Sequence, residues 1–296
     1  MSFRHALCGW VPSDFSVYEA AWRRYGGSVN MHPDVVRFFM HEQKMKVDFW
    51  HREKEGDITG AYFETDKNQV GLNVWRDYPV SFDEVMLPVS PAQRFILPSG
   101  ARRLSCAHRA SILNVLWPRQ GRRGVCRIKA TFSAKTTRKR NGELGRFLAA
   151  GGEILPLAGM PAREIAGLYV SLFKARFGGT VRCYDPARIE ALFSALPQLV
   201  AGNVLLFRGA PCAIDLVLRA DSDRFMYVDV PNGGFDPALS AYSPGSLLMW
   251  VNIRDAREES ARANKPLYFS IGLNEAGWGY KQRWAEVYPT GRALMI

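Results

Sequence analysis

Asn203-Val-Leu-Leu-Phe207, Pro211-Cys-Ala-Ile-Asp-Leu-Val-Leu218 and Arg224-Phe-Met-Tyr-Val-Asp-Val230 decide the fold. The first two are short apolar runs split by Arg208-Gly209-Ala210, a hairpin signal. The third alternates apolar and polar residues as a half-buried strand does. Ser243-Pro-Gly-Ser246 then opens an amphipathic helix that Lys265-Pro266 closes near Asn264, and Leu267–Ile271 supplies a further strand. Tyr280-Lys-Gln-Arg-Trp284 reads as a final helix. The order is therefore β-β-β-α-β-α, with Pro231-Asn-Gly-Gly234 as a turn after the third strand. The helix start at Ser243 is an anion site by construction, because its first amides point outward without intrahelical partners.

Upstream, Ser13 caps a helix to about Tyr25, and Gly26-Gly27 stops it. A second helix spans about His32–Gln43 with Pro33 in its first turn. Val47–Arg52 and Ile58–Glu64 form a hairpin around Glu55-Gly-Asp57, and Gln69–Trp75 extends that sheet. Residues 76–105 are proline-interrupted and hard to read. A short helix near His108–Trp117 precedes a strand at Val125–Phe132, a helix over Thr136–Ala150 and a short strand at Glu153–Leu155. Helices follow over Pro161–Arg176, with Ile165, Leu168, Tyr169, Leu172 and Phe173 on one face, and over Ala187–Leu196. Helices followed by a meandering sheet thus occur twice, and the chain divides into residues 1–135 and 136–296.

The 296 residues are 47% hydrophobic and 23% charged, the composition of a folded globular protein. No uninterrupted apolar run reaches the 18 residues or so of a spanning helix, and the first residues lack the pattern of a secretory signal. Five scattered cysteines without a Cys-x-x-Cys spacing indicate neither a disulfide framework nor a zinc site, so a reducing cytoplasm is expected. No metal site is expected, since His5, His32, His41, His51 and His108 show no ligand spacing. The net charge of +11 is concentrated: ten lysines and arginines face a single glutamate between Arg119 and Arg146. Such a stretch, with Arg138-Lys139-Arg140 at its centre, suits an anionic partner or a solvated helix face.

Asp215 and Asp229 sit within apolar strands, where an ionised carboxylate is costly unless paired or functional. Each is either a base for an attacking amine or an ion-paired structural residue. Tyr280 is placed to protonate a leaving group and Lys281 to meet phosphate; packing of an aromatic helix is the alternative. No nucleophile elbow, Walker loop or dinucleotide fingerprint occurs, which argues against nucleophilic hydrolysis and nicotinamide chemistry.

Tyr25-Gly-Gly-Ser-Val-Asn-Met-His-Pro-Asp34, Gly60-Ala-Tyr-Phe63, Thr131-Phe-Ser133, Arg146-Phe-Leu148, Arg176-Phe-Gly178, Ser243-Pro-Gly-Ser246, Phe269-Ser-Ile-Gly272 and Tyr280-Lys281 resemble the Mig-fourteen family over nearly the whole chain. These are macrophage-inducible, antimicrobial-peptide resistance proteins of Gram-negative bacteria. The strand order is similar to the acyl-transfer half of GNAT-type N-acyltransferases, and more distantly to Fem-type aminoacyl transferases and cellulose-associated acetyltransferases.

The resemblance implies an α+β fold of tandem GNAT-like domains in a Fem-like arrangement, the N-terminal copy degenerate. It also implies a virulence-associated protein, cytoplasmic and peripheral to the inner membrane. An N-acyltransferase would use Asp215, Asp229 and Tyr280 on the acceptor and leaving group. It would hold an acyl-CoA or aminoacyl-tRNA donor at Ser243, Pro244, Gly245, Ser246, Leu247 and Lys281, and act on a small-molecule or lipid-linked amine. tRNA or an anionic inner-membrane surface would meet Arg138, Lys139 and Arg140. The alternative is an inactive GNAT scaffold that binds the inner membrane or another anionic partner. DNA binding ranks third, since no helix-turn-helix is present. The Arg/Gln-x-x-Gly-x-Gly/Ala pyrophosphate loop of ordinary GNAT enzymes is missing here; only Gly245 and the helix start remain, which counts against acetyl-CoA as the donor.

Overall fold

A computed structural model describes residues 3–65, 69–118, 124–275, 277 and 279–295. The N-terminal part contains α1 (Phe3–Leu7), β1 (Val11–Ser13), α2 (Phe15–Tyr25), α3 (Pro33–Glu42), β2 (Val47–Lys54), β3 (Asp57–Thr65) and β4 (Gln69–Val70). Its strands make a sheet in the order β1-β2-β3-β4. The remainder comprises β5 (Arg102–Ser105), β6 (Val115–Leu116), β7 (Gly124–Ile128), α4 (Ala134–Ala149), β8 (Gly152–Pro156), α5 (Ala162–Phe177) and α6 (Pro186–Ala195). It continues with β9 (Val200–Ala201), β10 (Asn203–Phe207), β11 (Ala210–Asp221), β12 (Met226–Phe235), α7 (Pro244–Arg262), β13 (Leu267–Leu273) and β14 (Ala285–Ala293).

The large sheet runs β5-β14-β7-β13-β12-β11-β10-β8, with β6 on β14 and β9 on β11. Its pairings are antiparallel except β12 with β13. Strand alternation gives it two faces: Ile214, Leu216 and Leu218 of β11 join the core under α5 and α6, while Ala213 and Val217 join the core under α7. The sheet does not respect a division at residue 135, because β5 and β7 lie within it beside β14.

Several elements differ from the sequence reading. Asp14, not Ser13, caps α2 by accepting from the Val17 amide at 3.0 Å. The Gln69–Trp75 extension shrinks to Gln69–Val70. The expected helix over His108–Trp117 is a 3-10 turn at Cys106–His108 followed by β6; the His108 ring, buried and neutral, accepts from the Leu87 amide at 2.8 Å instead of lying on a helix face. Pro231-Asn-Gly-Gly234 is no turn but the second half of β12. The Tyr280–Trp284 helix is a 3-10 turn, Gly279–Arg283, and the chain then supplies the unforeseen β14, seated between β5 and β7. Helix-breaking Gly277 and Gly279 shorten the turn, and Pro289 hid the strand from a propensity reading.

One buried ion pair ties the two parts. Glu84 and Arg127 are 2% and 6% exposed. Arg127 Nε donates to Glu84 Oε2 at 3.0 Å, and Nη2 donates to Glu84 Oε1 and, at 2.8 Å, to Ser105 Oγ of β5. Tyr227 of β12 donates to Glu84 Oε2 at 3.0 Å, and the guanidinium lies over the rings of Tyr268 and Tyr288 from β13 and β14. Arg127 was counted in the basic stretch by sequence; it is interior. We expect Arg127→Met to cost about 3–5 kcal/mol in urea denaturation, since it strands a buried carboxylate, and Glu84→Leu in the same chain to recover most of that loss.

Candidate active site

β12 and β13 pair in parallel only from Met226–Asp229 against Leu267–Ser270. Beyond that they part: β13 turns to β7, and β12 stays with β11. A cavity of about 1100 Å³ opens where they diverge, lined by Val230–Gly233 of β12 and Ile271–Leu273 of β13. Asp83, Arg176, Asp215, Tyr280 and Lys281 bring ionisable groups to it.

Asp215 stands opposite Gly233 across the β11–β12 ladder. A side chain at Gly233 would collide with the Asp215 carboxylate, so glycine there lets the acid lie across β12. Its neighbour Gly234 serves the other face, where a Cβ would run into the α5 backbone at Leu172–Phe173. Burial pushes the Asp215 carboxyl up to about 7, against the pull of Arg176 and a 3.2 Å hydrogen bond from Asn252 Nδ2. Asn252 can only donate there, because its carbonyl oxygen accepts from the Asn203 backbone amide (3.0 Å) and side-chain amide (3.2 Å).

Arg176 Nη1 donates to the Gly233 carbonyl at 3.0 Å, and the guanidinium lies over Phe177 and Phe235. Its charge also acts on the Tyr280 phenol. Burial outweighs the Arg176 charge and raises the Tyr280 pKa, so this phenol carries its proton at neutral pH. Asp215, Arg176 and Tyr280 are thus one coupled group.

Asp229 lies elsewhere. It is 2% exposed; Ser81 donates its amide to Oδ2 at 3.3 Å, and Oδ1 is buried without a hydrogen-bond partner among the described residues. Burial chiefly, with the nearby Asp83 charge, pushes it up to about 7. The structure brings Asp215 and Tyr280 together and sets Asp229 behind the cavity, where it does not line it.

Lys281 Nζ donates to the Leu273 carbonyl at 2.9 Å, and burial lowers its pKa. Gly272, at φ 83°, leaves room between it and Asp83: a Cβ there would sit 3.1 Å from Asp83 Oδ2 and 3.2 Å from Lys281 Nζ. Burial raises the Asp83 pKa against Lys281 and Arg103.

Sequence reasoning missed Asp83, because it falls in the illegible stretch, yet a signal existed in the Tyr25–Asp34 string. Asn30 Nδ2 donates to the carbonyls of Ser81 (2.9 Å) and Glu84 (3.0 Å), bracketing Asp83. Ser28 Oγ donates to Asn30 Oδ1 at 2.7 Å and accepts from the Met86 amide at 3.0 Å. Gly26 and Gly27 pack where a Cβ would meet Phe225, Trp22 or the Met86 carbonyl. That string holds the 81–86 segment in place. Arg176 was likewise noticed only as part of a motif.

The start of α7 is poorly equipped for a pyrophosphate. Pro244 has no N–H, the Ser246 amide donates to the Ser243 carbonyl at 2.9 Å, and Leu247 is buried in the core. Ser243 takes a left-handed conformation (φ 52°), and Gly245 packs near the Phe235 ring. Of α7, Met249 rather than residues 243–247 reaches the cavity.

On α4, Arg138 and Lys139 are exposed, while Arg140 bonds Glu143 at 2.8 Å and covers the Trp284 ring. Arg119, Arg122 and Arg123 lie outside the described residues. Among the described residues no three His, Cys, Asp or Glu side chains converge as a metal requires, and no helix is long and apolar enough to cross a membrane.

Comparison with solved structures gives the same architecture. FemX superposes with a TM-score of 0.62 at 8% identity, over 97% of each chain. The C-terminal domain of a protein assigned as a lysylphosphatidylglycerol synthetase from Agrobacterium fabrum gives 0.52 at 11% identity, over 95% of this chain and 91% of that one. A conserved protein of unknown function from Bacteroides thetaiotaomicron gives 0.50 at 10%, over 94% and 90%. Identities this low speak for the fold, a tandem GNAT-like, Fem-like α+β architecture. No curated protein matches the sequence. A family model described as Mig-14 covers residues 32–293, and the chain belongs to the Mig-14 family.

Proposed function

We propose that the protein is an N-acyltransferase that moves an acyl or aminoacyl group onto the amine of an envelope-related acceptor. The observation that carries this reading is the parting of β12 and β13 into a cavity that holds Asp215, Arg176 and Tyr280 together. A parallel pair that separates exposes backbone amides and carbonyls of both strands to a ligand, which suits an extended acyl donor. Asp215, poised near neutrality, takes the proton of the attacking amine. The amine nitrogen bonds to the acyl carbon, the C–S or C–O bond of the donor breaks, and Tyr280 gives its proton to the departing sulfur or oxygen. Arg176 then stabilises the phenolate left on Tyr280, on which its charge already acts. Asn252 positions Asp215 through its side-chain NH2 group.

Asp229 is a supporting group in this scheme: a neutral acid in the fold, packed against the segment that carries Asp83. The donor is an acyl-CoA thioester or an aminoacyl-tRNA ester. The sparse amides at the start of α7 favour the latter. An acceptor of the envelope, peptide resistance and association with the inner membrane are consistent with the family assignment and with the lysylphosphatidylglycerol synthetase likeness.

The purified chain, given acyl-CoA thioesters or aminoacyl-tRNA and a primary amine, should form an amide. Asp215→Asn should lower kcat by about 10²–10⁴-fold, and Tyr280→Phe should slow it with KM little changed. Wild-type kcat/KM should fall as pH drops below about 7, where Asp215 gains its proton. Full activity in both variants would remove the mechanism.

Asp229 gives a separate readout. Its folded-state pKa, about 7, lies above the ordinary 3.8, so between these values the folded state binds more protons than the unfolded one. Stability from this group therefore declines as pH rises from about 4 to 7, by at most about 4 kcal/mol. Asp229→Asn should flatten that decline in urea titrations across this range, and an unchanged slope would show that the acid is not held neutral.

A further inference from the structure

Acyl transfer leaves one wall of the cavity without a task. Arg102 and Arg103 of β5 and Arg292 of β14 line it. Arg102 and Arg292 are register partners, so two like charges stand opposite each other on one face of an antiparallel pair, an arrangement that repulsion disfavours. Between Leu104–Gly291 and Arg102–Arg292 the register skips Arg103, which is therefore the extra residue of a bulge. It sits at φ 63°, where glycine is the usual occupant. A strained bulge that aims a third arginine at the same cavity is the kind of outlier that points to a ligand. Among the described residues, none of the three guanidinium groups has a salt bridge or a side-chain hydrogen bond; Asp83, whose pKa Arg103 helps to lower, is already opposed by Lys281.

The surface beside these arginines is apolar. Leu116, on the strand that also pairs with Arg292, is exposed, as are Leu113, Leu294 and Met295. The chain brings these residues close to Arg292: Leu116 is its register partner, the Leu294 amide donates to the Asn114 carbonyl at 2.9 Å, and Asn114 Nδ2 donates back to the Leu294 carbonyl at 2.7 Å. No carboxylate occurs between Gly100 and Pro118. A free phosphate or a nucleic acid would account for the arginines and leave the leucines unexplained.

We propose that this rim docks on an anionic bilayer, with a lipid phosphate held by Arg102, Arg103 and Arg292 at the cavity mouth and the leucines entering the headgroup–acyl boundary. This deepens the acyl-transfer reading, on which it rests for the acceptor: the acceptor is a phosphate-bearing membrane lipid, and its head reaches Asp215 from the membrane side.

Vesicle flotation with the full chain tests it, using phosphatidylcholine vesicles with and without phosphatidylglycerol. Binding should require phosphatidylglycerol. Arg102→Gln or Arg292→Gln should weaken it about fivefold each and the pair about 25-fold, with thermal unfolding at no lower temperature than in the unmodified chain. Leu116→Ser with Leu294→Ser should also weaken binding but keep its salt dependence, whereas Arg138→Gln with Lys139→Gln on α4 should leave it intact. Equal binding to neutral vesicles, or undiminished binding of the arginine pair variant, would overturn the proposal. So would a pair variant that loses tRNA binding while keeping vesicle binding, since the anion would then be nucleic acid. If vesicles are not bound but Asp215-dependent transfer to a soluble amine persists, this inference falls and the acyl-transfer reading stands.

Discussion

The Glu84–Arg127 pair is the constraint on which the arrangement depends. A carboxylate and a guanidinium this deeply buried are tolerated only if further hydrogen bonds support them, and here Ser105 accepts from Arg127 and Tyr227 donates to Glu84, while Asn30 holds the Glu84 backbone carbonyl. The pair therefore requires β5, β7, β12 and the segment from Ser81 to Met86 to be in one place. Asp83, next in the chain to Glu84, is carried into the cavity as a consequence. An interaction that contributes little net stability compared with apolar packing thus fixes the geometry of a site to which it does not itself belong.

A second constraint is steric and acts through missing side chains. Gly233 and Gly234 are adjacent on β12 and face opposite ways. The first clears space for the Asp215 carboxylate, the second for the α5 backbone, and α5 carries Arg176. Close approach of α5 brings the guanidinium to the Gly233 carbonyl and to Tyr280, which closes the circle with Asp215. Gly272, on the other side of the divergence, does the same for Asp83 and Lys281. The splayed pair of strands is a cavity rather than a defect because glycine stands at each of these points.

Much of this was legible in the sequence and some was not, for physical reasons. Helices with a proline at their start and an apolar stripe, such as α5 and α7, were found to within a residue or two, because periodicity and end signals agree there. Asp215 and Tyr280 stood out because a charge in an apolar strand and a polar aromatic after the last core strand are unusual. The two-glycine segment misled, since a Pro-Asn-Gly-Gly run has the composition of a turn and its demand for glycine comes from tertiary contacts, α5 on one face and a carboxylate on the other. β14 was invisible because a proline and a glycine interrupt it while its neighbours, β5 and β7, come from far upstream in the sequence. Asp83 and its arginine counterparts lie in stretches without periodicity, where position is set by bulges and buried hydrogen bonds to distant residues.

The same reasoning redistributes the charge. Read linearly, the excess of lysine and arginine marked one stretch from Arg119 to Arg146. In three dimensions Arg127 is interior and neutralised, and Arg140 lies against Trp284 with Glu143 beside it. Arg102, Arg103 and Arg292, inconspicuous in sequence because two belong to one short strand and the third is far away, meet in one wall of the cavity. A charged stretch in sequence and a charged surface in space are different objects, and electrostatic attraction acts only on the second. The cavity that results is asymmetric. Carboxylates and a tyrosine gather where the strands part, and guanidinium groups without a salt bridge among the described residues gather at the β5–β14 edge beside exposed leucines. If the proposed acyl transfer and membrane docking hold, a substrate that satisfies both ends presents an amine at one end, a phosphate at the other and an apolar portion beyond it.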